Sequence, residues 1–204
     1  MTDELHPRTE ALLERVARAA DAEGRLPLPD VASWDIFPFE GDIRVRPLEA
    51  PVLPEPARHG EDAGSCRTCQ AGTEDAVWAD ERWKLVPLGS PASIPIVLLF
   101  PLAHLDMADL DEAHAHDLGP LMLRVEAALV SLGGVGRVHV YKVGDGATHL
   151  HVWFIARPEG LLQLRGSSLS DWSDCLPPMP DDEWADVMRD VAAAMAAGGG
   201  TALV

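Results

Sequence analysis

The apolar positions of this chain follow two periods, one helical and one alternating, and the change between them marks its elements. Residues 3–22 place Leu12, Leu13, Val16 and Ala19 at helical spacing, with Glu and Arg between them, which predicts an amphipathic helix. The stretch Ser33 to Leu48 carries Trp34, Ile36, Phe37 and Phe39, then Ile43 and Val45 in alternation. It reads as a short hairpin turning at Glu40-Gly41-Asp42. Residues 49–65 are punctuated by proline and polar residues and read as a linker.

From Cys66 onward the pattern is denser. Ala76–Ala79 and Trp83–Pro87 are strand candidates around Asp80-Glu81-Arg82, and Ile94–Phe100 is an almost wholly apolar run suited to a strand buried on both faces. Residues 109–132 carry Leu118, Leu121, Met122, Val125, Leu129 and Leu132 on one helical stripe. Gly133-Gly134 stops that helix, and Pro120 within it predicts a kink or a second start. Val138–Val143 and His149–Ala156 read as strands joined across Gly144-Asp145-Gly146-Ala147. A last helix, Asp182–Ala197, ends at Gly198-Gly199-Gly200. The expected fold class is α+β: an antiparallel sheet of about five strands with a helix between the third and fourth. Three regions are expected: an N-terminal extension over 1–65, a core domain over 66–157 and a C-terminal extension with a helix over 158–204.

Composition narrows the possible partners. The chain has 204 residues, 47% of them hydrophobic, enough for a packed core, and its formal net charge is -17. A surface of that sign repels nucleic acid and anionic membranes, because phosphate backbones are bound by clustered Lys and Arg. Lys84 and Lys142 are its two lysines. No apolar run approaches the ~18–20 residues of a membrane span, and Met1 to Arg8 lacks the apolar segment of a secretory signal. The three cysteines, Cys66, Cys69 and Cys175, are odd in number with one close pair. That favours a reducing compartment, with the cytoplasm as default, and a metal or redox role for the pair.

Two stretches could carry chemistry. In Thr148-His149-Leu150-His151-Val152-Trp153-Phe154-Ile155-Ala156, strand alternation would put His149, His151 and Trp153 on one face and Leu150, Val152 and Phe154 on the other. Hydrogen-bonded surface histidines are the competing reading. Cys66-Arg67-Thr68-Cys69 has the knuckle spacing that lets two thiolates grip one tetrahedral zinc. The other ligands must come from elsewhere: His104, after the buried strand, and one histidine of the hairpin. Buried free thiols or a redox dithiol are the alternatives, but a redox pair normally opens a helix in a βαβ unit, which the pattern lacks. His114 and His116, two positions apart in the helix, do not share a face and read as solvated. Lys142, Arg157 and Arg165 are the positive charges nearest the Thr148–Ala156 stretch in sequence and could offset a phosphate, with a solvated Arg157 before Pro158 as the alternative, and His139 reads as a core or interface histidine.

These residues support a resemblance. Val97-Leu98-Leu99-Phe100-Pro101-Leu102-Ala103-His104, followed by a helix, is similar to the strand-to-helix passage of histidine-triad proteins. His149-Leu150-His151-Val152-Trp153-Phe154-Ile155 resembles their His-x-His-x-His signature. The order Cys-x-x-Cys, His, His-x-His is also that of the galactose-1-phosphate uridylyltransferases. The resemblance covers residues 66 to about 157 and implies a histidine-triad-like sheet, often paired as a homodimer. By position it implies a structural zinc held by Cys66, Cys69, His104 and His149, with His151 as the nucleophile that attacks phosphorus. Trp153 replaces the third histidine. It cannot shuttle a proton near neutral pH, but it offers a stacking face. The Gly144–Thr148 loop is shorter than in the family, and its backbone N–H groups and the Thr148 hydroxyl could cradle a phosphate. Lys142 is a nearby positive charge. The implied activity is that of a nucleotide hydrolase or nucleotidyltransferase working on a small nucleotide or nucleotide conjugate. One alternative is a non-catalytic, zinc-stabilised nucleotide-binding or regulatory protein. Another is a metal-dependent enzyme in which His149 and His151 bind one ion with an open water position.

Overall fold

A computed structural model describes residues 16–33, 37, 39, 41–45, 47, 50–89 and 91–204. Its contacts group the chain into two compact units, 1–57 and 58–204. In the first, residues 16–19 are helical, and the Asp21 carboxylate accepts from the Glu23 and Arg25 N–H groups, closing the turn that follows. Residues 3–15 of the expected 3–22 helix lie outside the described residues, and the chain leaves the helix after residue 19. Of the expected hairpin, residues 34–36, 38, 40, 46 and 48 lie outside the described residues, and the described ones, 41–45 among them, form no strand.

The second unit is built on one antiparallel sheet. Its strands are β1 (Trp78–Ala79), β2 (Trp83–Pro87), β3 (Ile96–Pro101), β4 (Val135–Tyr141), β5 (Val152–Pro158) and β6 (Thr201–Ala202). Their spatial order is β4-β5-β3-β2-β1-β6. Four helices accompany them: α1 (Arg67–Ala71), α2 (Glu112–Ser131), α3 (Leu169–Cys175) and α4 (Asp181–Ala197). The fold class is α+β, with α2 between the third and fourth strands as the pattern predicts. α2 starts where the Asp111 carboxylate accepts from the His114 N–H, and it runs through Pro120 as one element. Asp181, Asp182 and Glu183 crowd the first turn of α4, where negative charge suits the helix dipole. No helix of the described residues is long and apolar enough to cross a membrane.

The two sheet faces differ. Leu85, Val97, Leu99, Val152, Phe154 and Ala156 turn to α2 and α4 and meet Leu121, Val125, Leu129, Trp184, Met188, Val191 and Met195 in the main core. The opposite face carries a smaller cluster of Ile94, Ile96, Ile155, Leu164 and Leu169, with Tyr141, Trp153 and Trp172 packed against it. The sixth strand was not expected. It forms because the chain turns back after α4 at Gly200, where φ is +79° and a Cβ would fall within 2.7 Å of the Trp78 ring and the Ala79 carbonyl. Arg124 lies over the Trp78 ring at 5.0 Å, and the Trp78 indole donates to Gly199 O at 3.0 Å.

Two other readings need correction. His114 is buried, not solvated. Its Nδ1 lies 2.8 Å from the Asp111 carboxylate, and its ring packs 5.8 Å from that of Trp83. Arg157 is buried as well, its guanidinium donating to Pro158 O at 2.9 Å. His116 is exposed.

Candidate functional site

The signature histidines sit just before a strand, not within one. The expected strand began at His149, whereas β5 begins at Val152. The backbone of 146–150 makes its hydrogen bonds elsewhere. His59 N–H donates to Gly146 O, Thr148 N–H donates to His59 O, and Leu150 N–H donates to Leu105 O. Local alternation could not reveal this, because the competing partners come from residues 59 and 105.

Those detours bring four side chains together. Cys66 precedes α1 and Cys69 lies within it, His104 follows β3, and His149 precedes β5. Their ligand atoms all lie within 4.8 Å of one another. His149 Nδ1 is 3.4 Å from Cys66 Sγ and 3.5 Å from Cys69 Sγ, and His104 Nδ1 is 3.4 Å from Cys69 Sγ. A tetrahedral zinc, with Zn–S of about 2.3 Å and Zn–N of about 2.0–2.1 Å, separates neighbouring S and N atoms by about 3.6 Å. The cluster has the dimensions of such a site. The other nitrogen of His149, Nε2, donates to Pro101 O at 2.8 Å, so Nδ1 carries the lone pair toward the sulfurs. A metal-binding imidazole is normally anchored through its second nitrogen in this way.

The local electrostatics agree with this donor set. Burial, followed by the charges of His104, Lys84 and His151, holds His149 below the ordinary histidine range and keeps the ring neutral. Burial and the adjacent Cys66 push the Cys69 thiol up to about 11. Without a cation, this thiol stays protonated at neutral pH, and metal binding must release its proton.

His151 stands apart from the cluster. Its Nδ1 donates to the His149 carbonyl at 2.9 Å, which fixes the tautomer and leaves the Nε2 lone pair for chemistry. Its ring lies 5.9 Å from that of Phe100 and 6.3 Å from that of Trp153. Trp153 is half-buried, and its indole N–H is sealed from solvent without a hydrogen-bond partner. Thr148 is turned away: its hydroxyl points at the His59 carbonyl, 3.4 Å away, the acceptor its N–H already uses. Lys142 Nζ is 3.5 Å from the Asp106 carboxylate.

Sequence reasoning missed two groups here. Arg58 Nη1 bridges the Asp106 carboxylate at 2.9 Å and the Gly144 carbonyl at 3.1 Å, tying the loop before His149 to the end of the linker. Burial alone would raise the Asp106 carboxyl, but the Met107 N–H, Arg58 and Lys142 outweigh it and hold the group below its ordinary range. Lys84 is buried on β2, paired with Asp75 at 2.7 Å, with its ammonium 5.7 Å from the Phe100 ring centroid. A lysine inside the apolar run Trp83–Pro87 was the available signal.

No family model matches the chain, and no curated protein does. Solved structures do. A histidine triad protein from Bradyrhizobium japonicum aligns at 22% identity and a TM-score of 0.50, over 60% of this chain and 92% of that one. A histidine triad protein from Marinobacter aquaeolei aligns at 17% identity and 0.50, over 63% and 94%. A hypothetical histidine triad nucleotide-binding protein from Sulfolobus tokodaii aligns at 17% and 0.50, over 65% and 93%. At such identities the likeness is one of fold, and the fold is that of the histidine-triad proteins.

Proposed function

We propose that this protein, built on a histidine-triad fold, acts on a nucleoside phosphate through His151 and holds a structural zinc at Cys66, Cys69, His104 and His149. The observation that carries the reading is the Nδ1 hydrogen bond from His151 to the His149 carbonyl, which turns Nε2 outward as the nucleophilic nitrogen. Nε2 attacks phosphorus, and a P–N bond forms as the bond from phosphorus to the leaving group breaks. The leaving group departs with the electron pair and takes a proton from water, since Trp153 has none to give near neutral pH. Water or a second acceptor then attacks the nucleotidyl-histidine and restores the free ring. Cys66, Cys69, His104 and His149 would hold the zinc with protein ligands alone, so it would contribute to folding and leave the transfer to His151. His149 links the two roles, because its ring faces the cysteines while its carbonyl orients His151.

Trp153 favours a second reading, a protein that binds nucleotides without turning them over, because no acid stands at that position. Intact-mass analysis separates the two. After incubation with a nucleoside phosphoramidate, a dinucleoside polyphosphate and a nucleotide sugar, the parent should gain one nucleotidyl mass, and His151→Ala should not. Tight binding with neither adduct nor product would establish the binder.

A further inference from the structure

Two arginines face each other where β4 starts and β5 ends. Arg137 and Arg157 stand directly opposite in the β4–β5 register, a placing that like charges normally avoid. Next to them β4 bulges at Gly136, where the pairing shifts between Val135 and Arg137. Both guanidinia converge on that glycine. Arg137 Nη1 donates to Gly136 O at 2.6 Å. A Cβ on Gly136 would lie 3.0 Å from Arg157 Cζ and would collide with Arg157 Nη2. The bulge and the missing side chain together make the space that seats one guanidinium beside the other.

Negative charge is what these arginines lack. Among the described residues neither forms an ion pair, although Arg58, Arg82 and Arg189 all do, in a chain whose formal net charge is -17. Glu159 flanks the bulge, its Cα 3.0 Å from the same Cβ position, yet its carboxylate pairs with neither guanidinium. Arg157 is 8% exposed, and its Nη1 donates to one neutral carbonyl, Pro158 O, at 2.9 Å. A single carbonyl offsets little of the desolvation of a buried charge. The other nitrogens of Arg157 are not shut away: the sealed, unpartnered side-chain atoms among the described residues belong to Trp83 and Trp153. Burial and then the Arg157 charge hold the neighbouring His139 below the ordinary histidine range, so that ring is neutral and the positive charge rests on the two arginines. The Asp171 carboxylate acts instead on Tyr141, farther along β4.

Two adjacent forks of N–H donors complement an oxyanion with more than two acceptor oxygens and more than one charge, which describes a phosphate or a phosphate monoester. A carboxylate, with one charge and two oxygens, satisfies one fork. An extended polyanion is opposed by the negative charge of the chain as a whole. We propose that Arg137 and Arg157, seated at the Gly136 bulge, form a binding site for the terminal phosphate of a small molecule. Arg157 lies six positions beyond His151, about 20 Å along an extended strand. The site is therefore separate from the one proposed for the reaction and does not depend on it.

The test is calorimetric titration of the full chain, near neutral pH, with inorganic phosphate, glycerol 3-phosphate and acetate. Both phosphates should bind, one per chain, and acetate about tenfold more weakly or less. Arg137→Gln should weaken both phosphates by about tenfold, the loss of a charge-assisted hydrogen bond. Arg137 is exposed, so this variant should keep the melting temperature of the parent. Arg137→Lys, which keeps the charge and loses the fork, should fall between the two. Phosphate should also raise the melting temperature of the parent and not that of Arg137→Gln. The buried partner is read without mutation: in arginine side-chain NMR spectra, phosphate should shift the Nε–H resonances of Arg137 and Arg157 together. The proposal is overturned if neither phosphate binds, if acetate binds as tightly, if Arg137→Gln binds phosphate as the parent does, or if the Arg157 resonance does not move. Phosphate binding kept in Arg137→Gln but lost in His151→Ala would place the anion at His151, sinking this inference and supporting the proposed function. Binding lost in Arg137→Gln, in a parent that forms no His151 adduct, would do the reverse.

Discussion

The two faces of the sheet do different work. On the face covered by α2 and α4, Trp83, Leu85, Leu99, Phe154, Val125, Leu129, Val191 and Met195 are wholly removed from solvent and pack into one continuous core. On the other face the apolar cluster is small, a cavity opens beneath α3, and Tyr141, Trp153 and His151 remain half-exposed. Residues one step apart on β5 therefore have opposite environments: Phe154 is fully buried in the core, while Trp153 floors the cavity. Stability concentrated on one face leaves the other free to carry an unpaired indole and a loosely packed roof. The Cys66, Cys69, His104 and His149 cluster stands at the edge of this arrangement and ties together segments that the sheet does not pair.

Four substitutions test this division. The largest effect belongs to Cys69→Ser. It should remove stoichiometric zinc by elemental analysis and lower the melting temperature more than any other single change described here, because the binding energy of a structural metal is folding energy. A full zinc content, or an unchanged melting temperature with zinc present, would refute the structural role. Next comes Phe154→Ala, expected to cost about 3–5 kcal/mol in denaturant unfolding, while Ser173→Ala on the cavity roof should change stability by less than about 0.5 kcal/mol. Comparable costs on the two faces would erase the distinction. His151→Ala should leave stability within about 1 kcal/mol of the parent and abolish the nucleotidyl adduct. Loss of fold in that variant would make the histidine structural.

The smallest effect concerns acid. The Arg82 guanidinium, 2.6 Å from Asp117, holds that carboxyl below its ordinary range. A depressed carboxylate stabilises the fold above its unfolded pKa, near 3.8, and loses that contribution as pH falls through the folded value. Asp117→Asn should therefore melt lower than the parent at pH 6, and the gap should close as the pH drops below about 4. A gap constant with pH would show that the ion pair contributes nothing through ionisation.

Some features were legible in the residues because their causes are local. The α2 and α4 stripes, their glycine stops, the β2 and β3 runs and the Cys66–Cys69 spacing all depend on neighbours within a few positions. Chain order also marked His104, His149 and His151 as worth attention. The sequence by itself settled the periodicity, and with it the fold class.

Tertiary structure alone decided what depends on distant partners. Cys66 and His149 meet across 83 positions, and His149 finds the Pro101 carbonyl across 48, so neither the free nitrogen of that ring nor its neighbours follows from alternation. For the same reason the strand starts at Val152 instead of His149, Thr148 faces His59, and His114 and Arg157 are buried. The short helix α3 lacks a periodic stripe long enough to read, yet it roofs the cavity beside Trp153. Periodicity reports which way a side chain points along its own element. What it meets there is set by elements tens of residues away, through hydrogen bonds and burial that form only once the chain has folded.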